Sequence, residues 1–565
     1  MKNILLCALN SKYIHSSLAV HSIKAAYDFY CRKVGESFGD VSVCEFTIND
    51  NHSSVLYHIT SKKPDAVCFS VYLWNVNFIS ALCKDIKACL PDCTIVLGGP
   101  EVSFGVDNSF FTENLYDYVI AGEGEKAFFS LFAHLCTQKA VSLPEEFRIF
   151  SEGKTIRATT AVSLDELPFV YNEENIALFK NRIIYYESSR GCPFSCAYCL
   201  SSAEHGVRFL SLSRVYEDLQ FFIDCNIPLV KFVDRTFNCN KKRSYEILKY
   251  IIENGRNTCF HFEVAADLFD EDTLQLLKTA PRGRIQFEIG IQSTNKKALD
   301  ASCRTIDTNK VLENIKKLIS LENINIHADL IVGLPYEGYD AFTETFNEVY
   351  SYCTDNNHYI HQLQVGFLKL LRGAPLNRMR SSFGYVFSEN PPYQVLKNSY
   401  LSPDELNMLI AFEDVFERYY NSGRFHSTLC YIAASNAFSS PFAFYTALSE
   451  YYSSHQLLFR GISSRKMYDV LIDFLADFYC ADEIQKIKEL LLFDYFASDS
   501  SDLPPQSLHS VWKSERHYKE SATEILTALG KRSDRESTVR FVGNTHYVFD
   551  YSKKNPVTDR FDLCK

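Results

Sequence analysis

The sequence lacks the features of a membrane or secreted protein. It contains no apolar run of about 18 residues or more, so we expect no transmembrane helix. The apolar run in Met1–Leu9 is too short for a signal peptide, and polar residues follow it at once. The 19 cysteines are scattered over 565 residues without the framework of a small disulfide-rich domain. This usage fits a reducing compartment, so we expect a cytoplasmic protein.

Long basic stretches are also missing. Lys and Arg number 58 against 69 Asp and Glu, which gives a net charge of −11. The densest basic stretch, Lys241-Lys242-Arg243, is short. A nucleic-acid-binding protein normally carries a basic stripe that neutralises phosphates. We therefore expect no large RNA or DNA substrate.

No motif names a substrate. The sequence has no P-loop, no Ser-His-Asp order and no conspicuous pair of carboxylates. It also has no low-complexity tract and no internal repeat beyond an alternation of strands and helices. Glu263, on a predicted strand, could handle a proton in a cavity, and it could equally pair with a nearby cation.

The pattern over the first 140 residues predicts a Rossmann-like α/β domain. Short apolar runs alternate with stretches of helical spacing. The predicted strands are Ile4–Leu9, Ala66–Leu73, Thr94–Leu97 and Tyr118–Ala121. Such alternation indicates a parallel, doubly wound sheet, whose ligands bind beyond the carboxyl ends of the strands. Residues 141–180 have turn chemistry and little periodicity, so we expect a linker there.

Residues 181–395 repeat the alternation and predict a partial (β/α)6 barrel, or an open sheet of the same order. The predicted strands are Ile183–Glu187, Leu229–Val233, Cys259–Val264, Ile285–Ile291, Ile326–Val332 and Ile360–Phe367. Residues 396–565 predict a mainly helical C-terminal domain, with two strand-like pieces near its end. Its first helix should begin at Ser402-Pro-Asp-Glu405, which combines an N-cap, a Pro at N1 and a Glu at N3.

A cysteine motif is the strongest chemical signal in the sequence. Cys192, Cys196 and Cys199 have C-x3-C-x2-C spacing directly after a predicted strand. Three thiolates on one tight loop can bind three irons of a four-iron cluster and leave the fourth iron open. Two alternatives are three buried core thiols and a zinc site. Structural zinc normally needs four ligands, and no second cysteine pair lies nearby.

This loop resembles that of the radical S-adenosylmethionine (SAM) superfamily. The resemblance implies that Cys192, Cys196 and Cys199 hold a [4Fe-4S] cluster whose open iron is chelated by SAM. The reduced cluster then cleaves SAM to a 5′-deoxyadenosyl radical, and an external donor such as flavodoxin or ferredoxin supplies the electron. Tyr198 matches the aromatic position that contacts adenine in this family.

Other stretches match the family in order after the loop. Phe232–Phe237 resembles F-x-D-D-x-F and implies a SAM contact for Asp234, although Arg235 replaces the second acidic residue. Further catalytic or SAM-binding roles are implied by the E-x-G-x-Q-S strand, by an Arg that follows it and by the D-x-I-x-G-L-P strand. These fall on Glu288, Gln292, Ser293, Arg304 and Gly333. Taken singly, each match also fits a strand end, a turn glycine or a solvated charge.

The N-terminal domain resembles the cobalamin-binding domain that precedes many radical SAM domains. The resemblance rests on the loop after the first strand, on G-G-P-x-x-S and on G-E-G-E, and it implies cobalamin contacts by a set of strand-end residues. These are Tyr13, His15, Ser70, Tyr72, Gly98, Gly99, Gly122, Glu123 and Gly124. The D-x-H-x-x-G motif is absent, so the cobalt should have no histidine ligand from the protein. The alternative is a degenerate sheet that only packs on the barrel.

The resemblance implies a cobalamin-dependent radical SAM enzyme. Many such relatives methylate an unactivated carbon, here of a small metabolite or peptide, and others catalyse cyclisation or rearrangement. An alternative of another class is a non-catalytic iron–sulfur sensor or scaffold. We expect Gly98–Ser103 and Cys192–Cys199 to open onto one cavity, because a radical and a methyl group must reach the same substrate atom.

Overall fold

A computed structural model describes residues 2–136, 144–203, 206–352, 361–501, 503–512, 524–526, 537–543 and 545–564. Ile360, the first residue of the sixth predicted barrel strand, lies outside the described residues, as does part of the predicted linker. Among the described helices, none has the length and hydrophobicity needed to cross a membrane.

Twenty strands are defined within the described ranges. They are β1 Asn3–Asn10, β2 Asp40–Thr47, β3 Ala66–Ser70, β4 Thr94–Gly98, β5 Tyr118–Ile120, β6 Ile149–Glu152, β7 Thr155–Ala158, β8 Ile184–Tyr186, β9 Ser189–Cys192, β10 Gly206–Phe209, β11 Leu229–Phe232, β12 Cys259–Val264, β13 Ile285–Gln292, β14 Asn325–Val332, β15 Gln362–Phe367, β16 Val386–Phe387, β17 Val395–Lys397, β18 Ser537–Val542, β19 Thr545–Lys554 and β20 Phe561–Leu563.

Seventeen α-helices accompany these strands in the described ranges. They are α1 Leu18–Val34, α2 His52–Ser61, α3 Val76–Cys89, α4 Pro100–Ser103, α5 Gly124–Cys136, α6 Leu212–Asp224, α7 Lys241–Asn254, α8 Glu271–Lys278, α9 Lys296–Ala301, α10 Thr308–Ser320, α11 Tyr339–Tyr352, α12 Leu376–Met379, α13 Pro403–Phe416, α14 His426–Ala434, α15 Pro441–Ser454, α16 Ser464–Leu475 and α17 Ala481–Ser498.

The chain forms two compact units. The first comprises Met1–Phe262, Lys369–Arg380 and Phe387–Gln394, and the second comprises Glu263–Leu368, Ser381–Val386 and Val395–Lys565.

The first sheet has the strand order β2-β1-β3-β4-β5-β7-β6. Its first five strands are parallel and its central strands are almost wholly buried, because helices cover both faces. The order reverses between β1 and β3, which makes their carboxyl ends the topological switch point. This is the doubly wound domain that the sequence predicts, and the strand ends form its ligand-binding edge.

Two features of this sheet differ from the sequence prediction. β2 was not predicted, because its polar residues hide the pattern of a strand that pairs along only one edge. The region expected to be a linker contains the hairpin β6–β7, and β7 pairs with β5. The hairpin turns at Gly153, which has a φ of 57°. This exposed two-stranded extension buries only Ile156, so it lacks the hydrophobic pattern of a core strand.

The second sheet contains six parallel strands in chain order, from β8 at one edge to β15 at the other. β12 spans the predicted residues, and the other five strands differ from prediction by only a few residues. β13 and β14 alternate fully buried and half-buried residues over eight positions. One face of these strands is therefore core, and the other is a more open, polar face.

Helices dominate the second unit after the barrel strands. Ser402 accepts a hydrogen bond from the N–H of Glu405, and the Glu405 side chain accepts one from the N–H of Ser402. This is the predicted capping box. α13 and α15 then pack through buried aromatic rings, with the centroids of Phe412 and Phe442 4.5 Å apart. The predicted terminal strands appear as β18 and β19.

Candidate functional site

The three cysteines lie on one tight loop after β9. Cys196 is buried, and Cys192 and Cys199 are half-buried. The N–H of Cys199 donates to the carbonyl of Cys196 at 3.1 Å, which closes the turn. The Ser202 hydroxyl donates to the carbonyl of Cys199 at 2.6 Å and fixes the end of the loop. None of the three cysteines forms a disulfide, so each thiol can act as a metal ligand.

The donor set fits an iron–sulfur cluster better than a single metal ion. Among the described residues, no three His, Cys, Asp or Glu side chains converge as the ligands of one ion would. A structural zinc needs such convergence. In a four-iron cluster each thiolate binds a different iron, so three cysteines spread along one loop are the appropriate arrangement.

Gly191 shapes the start of the cluster loop. It has a φ of 102°, and a Cβ at this position would collide with the carbonyl oxygen of Gly206. Gly206 lies opposite Cys192 in the β9–β10 pair. A glycine is therefore required here, because any side chain would push the two strands apart.

Asp234 supports the same loop from β11. Its carboxylate accepts hydrogen bonds from the Ser188 N–H at 2.8 Å, the Ser188 hydroxyl at 2.6 Å and the Ser189 hydroxyl at 2.7 Å. The residue is 1% exposed. Burial raises the pKa of Asp234, and the serine hydrogen bonds offset part of that rise. In this placement the carboxylate orients the loop, so its assignment to SAM stays a prediction that the geometry does not favour.

An ionic cluster lies beside the loop. Nη2 of Arg190 is 2.8 Å from Oε1 of Glu125 and 2.7 Å from Oε2 of Glu187. Nη1 of Arg190 lies 3.3 Å from Oε1 of Glu123, which also pairs with Arg208. Burial alone would lower the pKa of Arg190, but the carboxylates outweigh it and raise that pKa. Glu123 is thus bound to arginines, and its predicted cobalamin contact remains untested.

Glu288 lies on the half-buried face of β13. Its register partner on β14 is His327. Nε2 of His327 is 3.0 Å from Oδ1 of Asp329, two residues along the same face. The sequence motifs identified Glu288, and Asp329 is the first residue of the D-x-I-x-G-L-P motif, whereas His327 was missed. The alternation of β14 could have found it, since residues two apart point to one face of a strand.

The remaining SAM candidates differ in their accessibility. Ser293 is fully buried and donates to Oε1 of Glu337 at 2.5 Å, so it is not open to a ligand. Gln292 has a φ of 70°, and its Oε1 is a buried acceptor without a partner among the described atoms. Such an orphaned acceptor fits a ligand donor. Arg304 donates to the carbonyl of Gly290, and the carbonyl of Gly333 accepts from Tyr385 at 2.7 Å.

The loop after β1 carries Tyr13 and His15. Tyr13 is 66% exposed, and the Arg182 guanidinium lies 4.8 Å from its ring centroid. Nδ1 of His15 is 2.6 Å from the hydroxyl of Tyr185 on β8. Burial, followed by the charges of Lys12 and Lys231, lowers the pKa of His15. His15 therefore ties this loop to the first barrel strand.

Ser70 ends β3, and the loop after it carries Tyr72. Tyr72 stacks on Trp74, with the ring centroids 4.4 Å apart and an interplanar angle of 7°. Trp74 is 42% exposed and donates to the carbonyl of Leu9 at 3.1 Å. Asn75 donates to the carbonyls of Leu9 and Ser70, both at 3.0 Å. Tyr72 was among the predicted contacts, whereas Trp74 and Asn75 at the switch point were missed, although they follow a predicted strand directly.

The glycines differ in what their missing side chains allow. Gly99 has a φ of 104°, and a Cβ there would lie 2.6 Å from the carbonyl oxygen of Val71. Gly122 has a φ of 80° and open space around the Cβ position. A Cβ at Gly98 would make ordinary contacts, and one at Gly124 would press on Ile23. The position of Gly122 is therefore open to a ligand, whereas a glycine is required at Gly99 by the nearby backbone of Val71.

Three family models match separate parts of the chain. The B12 binding domain matches residues 6–132, and the radical SAM superfamily matches residues 186–349. A third model, DUF4080, describes a family of proteins of unknown function and matches residues 381–545. The first two matches coincide with the doubly wound sheet and with most of the six-stranded sheet.

Several curated relatives are methyltransferases, and others are cyclases. The 2-(S-pantetheinyl)-carbapenam-3-carboxylate methyltransferase of Streptantibioticus cattleyicolor is 26% identical over 352 residues, which are 57% of this chain and 49% of the relative. The cobalamin-dependent radical SAM methyltransferase TokK of Streptomyces tokunonensis is 26% identical over 383 residues, 63% of this chain and 54% of the relative. The chain thus spans about half the length of these relatives.

A solved structure shares the fold. The cobalamin-dependent SAM radical enzyme OxsB, with aqua-cobalamin bound, superposes with a TM-score of 0.60 at 15% identity over 90% of this chain and 83% of that one. The two domains imply a [4Fe-4S] cluster, SAM and cobalamin as cofactors. The cysteine loop, the doubly wound sheet before it and these matches show that the chain contains a B12 binding domain followed by a radical SAM domain.

Proposed function

We propose that this protein is a cobalamin-dependent radical SAM methyltransferase that methylates an unactivated carbon of a small metabolite or peptide. One observation carries the proposal. The cluster loop and the carboxyl edge of the B12-type sheet belong to one compact unit and are joined by buried contacts of Arg190. Two reactive groups that act on one atom must be held close together, and this arrangement supplies that constraint.

The chain's own residues have distinct tasks in this proposal. Cys192, Cys196 and Cys199 hold three irons, while Asp234 and Gly191 keep the loop in the required conformation. When bound, the cofactors supply one-electron cleavage of SAM and a methyl group. The stacked Tyr72–Trp74 pair offers a flat apolar surface at the switch point, where a planar ring system can pack.

The substrate class follows from charge and from the relatives. The net charge is −11, and no long basic stretch is present to bind a nucleic acid. The relatives named above act on a carbapenam carboxylate or are described as methyltransferases. A small metabolite or peptide is therefore the proposed substrate, and an external one-electron protein donor is the proposed partner.

The test is comparative mass spectrometry of extracts from cells with the intact gene and with a Cys199→Ala gene, grown on trideuteromethyl-methionine. We expect a product that is heavier than its precursor by one labelled methyl group and absent from the variant. The variant is a matched control because the rest of the chain is unchanged.

Other results would redirect the proposal. Loss of a precursor without a labelled product, with SAM cleavage retained, would contradict methyl transfer and support cyclisation or rearrangement. Purified protein that binds a cluster but forms no 5′-deoxyadenosine would contradict an enzymatic role and support a sensor or scaffold.

A further inference from the structure

Two sets of contacts join the B12-type sheet to the cluster loop within the first unit. The first centres on Arg190, two residues before Cys192. Its guanidinium contacts Glu125 at the start of α5 and Glu187 after β8, both within 2.8 Å. Glu123 contributes to the same group at 3.3 Å from Arg190.

The second set comes from the segment Lys369–Arg380. Nε of Arg372 donates to Oε1 of Glu101 at 2.7 Å, and the guanidinium also pairs with Asp107. The hydroxyl of Tyr393 donates to the same oxygen of Glu101 at 2.5 Å. The segment then reaches the cluster loop, where the N–H of Leu376 donates to the carbonyl of Ala197 at 2.8 Å.

Each set contains one buried carboxylate. Glu125 is 5% exposed and Glu101 is 7% exposed. A buried carboxylate that loses its partner is strongly destabilising, so these contacts resist separation. Arginine adds directional control, because its planar fork fixes the orientation of each carboxylate as well as the distance.

The position of each set is informative. Glu123 and Glu125 belong to the segment that joins β5 to the first turn of α5, and Glu101 and Asp107 belong to the segment after β4, which includes α4. Both segments lie at the carboxyl edge of the sheet, where its ligand should bind. The first segment contacts Arg190, which precedes the cluster cysteines. The second contacts Arg372, whose own segment binds Ala197, between two of those cysteines, through Leu376.

We propose that Arg190 and Arg372 are positioning residues that fix the separation between the cluster loop and the cobalamin-binding loops. This inference rests on the proposed function, in which both cofactors serve one substrate atom. Neither arginine is proposed to touch a reacting group. Their contribution is to prevent the relative motion that would otherwise be the default between two domains of one chain.

The test measures the distance between two paramagnetic centres in the loaded protein, the reduced cluster and Co(II) cobalamin, by pulsed electron paramagnetic resonance. Arg190→Lys and Arg372→Lys keep the charge but lose the planar fork. We expect a single narrow distance distribution in the wild type and a broader or longer one in each variant at unchanged iron and cobalt content. Arg148→Gln is the control, because its pair with Glu145 is largely exposed.

A second readout needs no cofactor. In the protein without its cofactors, hydrogen exchange of the β9 and α5 amides should accelerate about tenfold or more in Arg190→Lys, because a buried ion pair is weakened. Unchanged exchange and an unchanged distance distribution in both variants would overturn the inference. A wild-type protein that binds neither cofactor would overturn the proposed function instead, and the exchange result would still decide the role of Arg190.

Discussion

At the scale of single residues, Gly99 and Gly122 lie at the same ligand-binding edge, but a side chain would have different surroundings at the two positions. The sequence motifs do not distinguish them, since each follows a strand of the first sheet. A side chain at Gly99 would strike the backbone of Val71, whereas one at Gly122 would enter open space. A substitution strains the backbone at both positions, because both have a positive φ, but only at Gly99 does it also strike Val71, so Gly122 is the better place to test steric exclusion of a ligand.

Gly99→Ala should destabilise the first unit by about 1–3 kcal/mol more than Gly105→Ala. Both glycines have a positive φ, 104° and 115°, but only Gly99 has backbone atoms within reach of a Cβ. Hydrogen exchange of the β3 and β4 amides would measure the difference. Equal effects of the two substitutions would show that the contact with Val71 is not limiting.

Gly122→Val should reduce cobalamin retention, because the side chain would occupy the open space beside the strand ends. His15→Ala should leave the cobalt spectrum unchanged, since His15 is bonded to Tyr185 rather than directed to a ligand. Absorption and electron paramagnetic resonance of the purified protein would measure both. A nitrogen signal on cobalt that disappears in His15→Ala would contradict this reading.

Glu337 predicts a pH dependence in the second unit. It is fully buried, and burial raises its pKa to about 7 despite hydrogen bonds from Ser293 and Thr345. Between its ordinary pKa of 4.5 and about 7, the native state binds more protons than the unfolded state. Stability should therefore fall by up to about 3 kcal/mol as the pH rises through this window.

Urea unfolding at several pH values would measure this fall. Glu337→Gln should remove it, because the amide does not ionise. Glu344→Gln, an exposed position on the same helix α11, should keep the wild-type profile. A Glu337→Gln protein whose stability still falls between pH 4.5 and 7 would assign the effect to another group.

At the scale of elements, Asp494 joins α17 to the start of α14. Its carboxylate accepts hydrogen bonds from the N–H groups of Ser427 and Thr428 at 3.0 and 2.9 Å. Nη2 of Arg560 donates to it at 2.8 Å, and the carboxylate is fully buried. One side chain thus caps a helix and neutralises an arginine from the C-terminal region.

Asp494→Asn should destabilise the second unit by about 3–5 kcal/mol, because a buried arginine loses its partner. Asp559→Asn is a matched control one residue from Arg560. Its pair with Lys554 is exposed, so we expect a change of less than about 1 kcal/mol. Equal losses in the two variants, measured by chemical denaturation, would show that burial of the pair does not matter.

The elements also show what periodicity can and cannot predict. The apolar runs of β12 and β14 predicted strands correctly, because every second residue of each strand is buried in the core. The hairpin β6–β7 was missed because an edge extension leaves most of its side chains in solvent. The apolar pattern of a sequence reflects which residues are buried, so an element that buries few residues gives only a weak pattern.

At the scale of the molecule, part of the candidate site could be predicted from the sequence and part could not. The cysteine loop was predictable, because its three ligands are close in sequence and their spacing carries the chemistry. The contact of Arg190 with Glu125 was not, since it joins residues 65 positions apart that have no shared periodicity. Arg372 and Glu101 are 271 positions apart. Only the structure shows that residues in or beside the motifs assigned to cofactors also bind one another.

The most direct measurement of the central claim is anaerobic reconstitution followed by a SAM cleavage assay. The wild type should bind about four irons per chain and form 5′-deoxyadenosine after reduction. A variant with Cys192→Ala, Cys196→Ala and Cys199→Ala should lose both the cluster and the product. Retention of a full cluster by this triple variant, or a wild-type cluster that never cleaves SAM, would contradict the account.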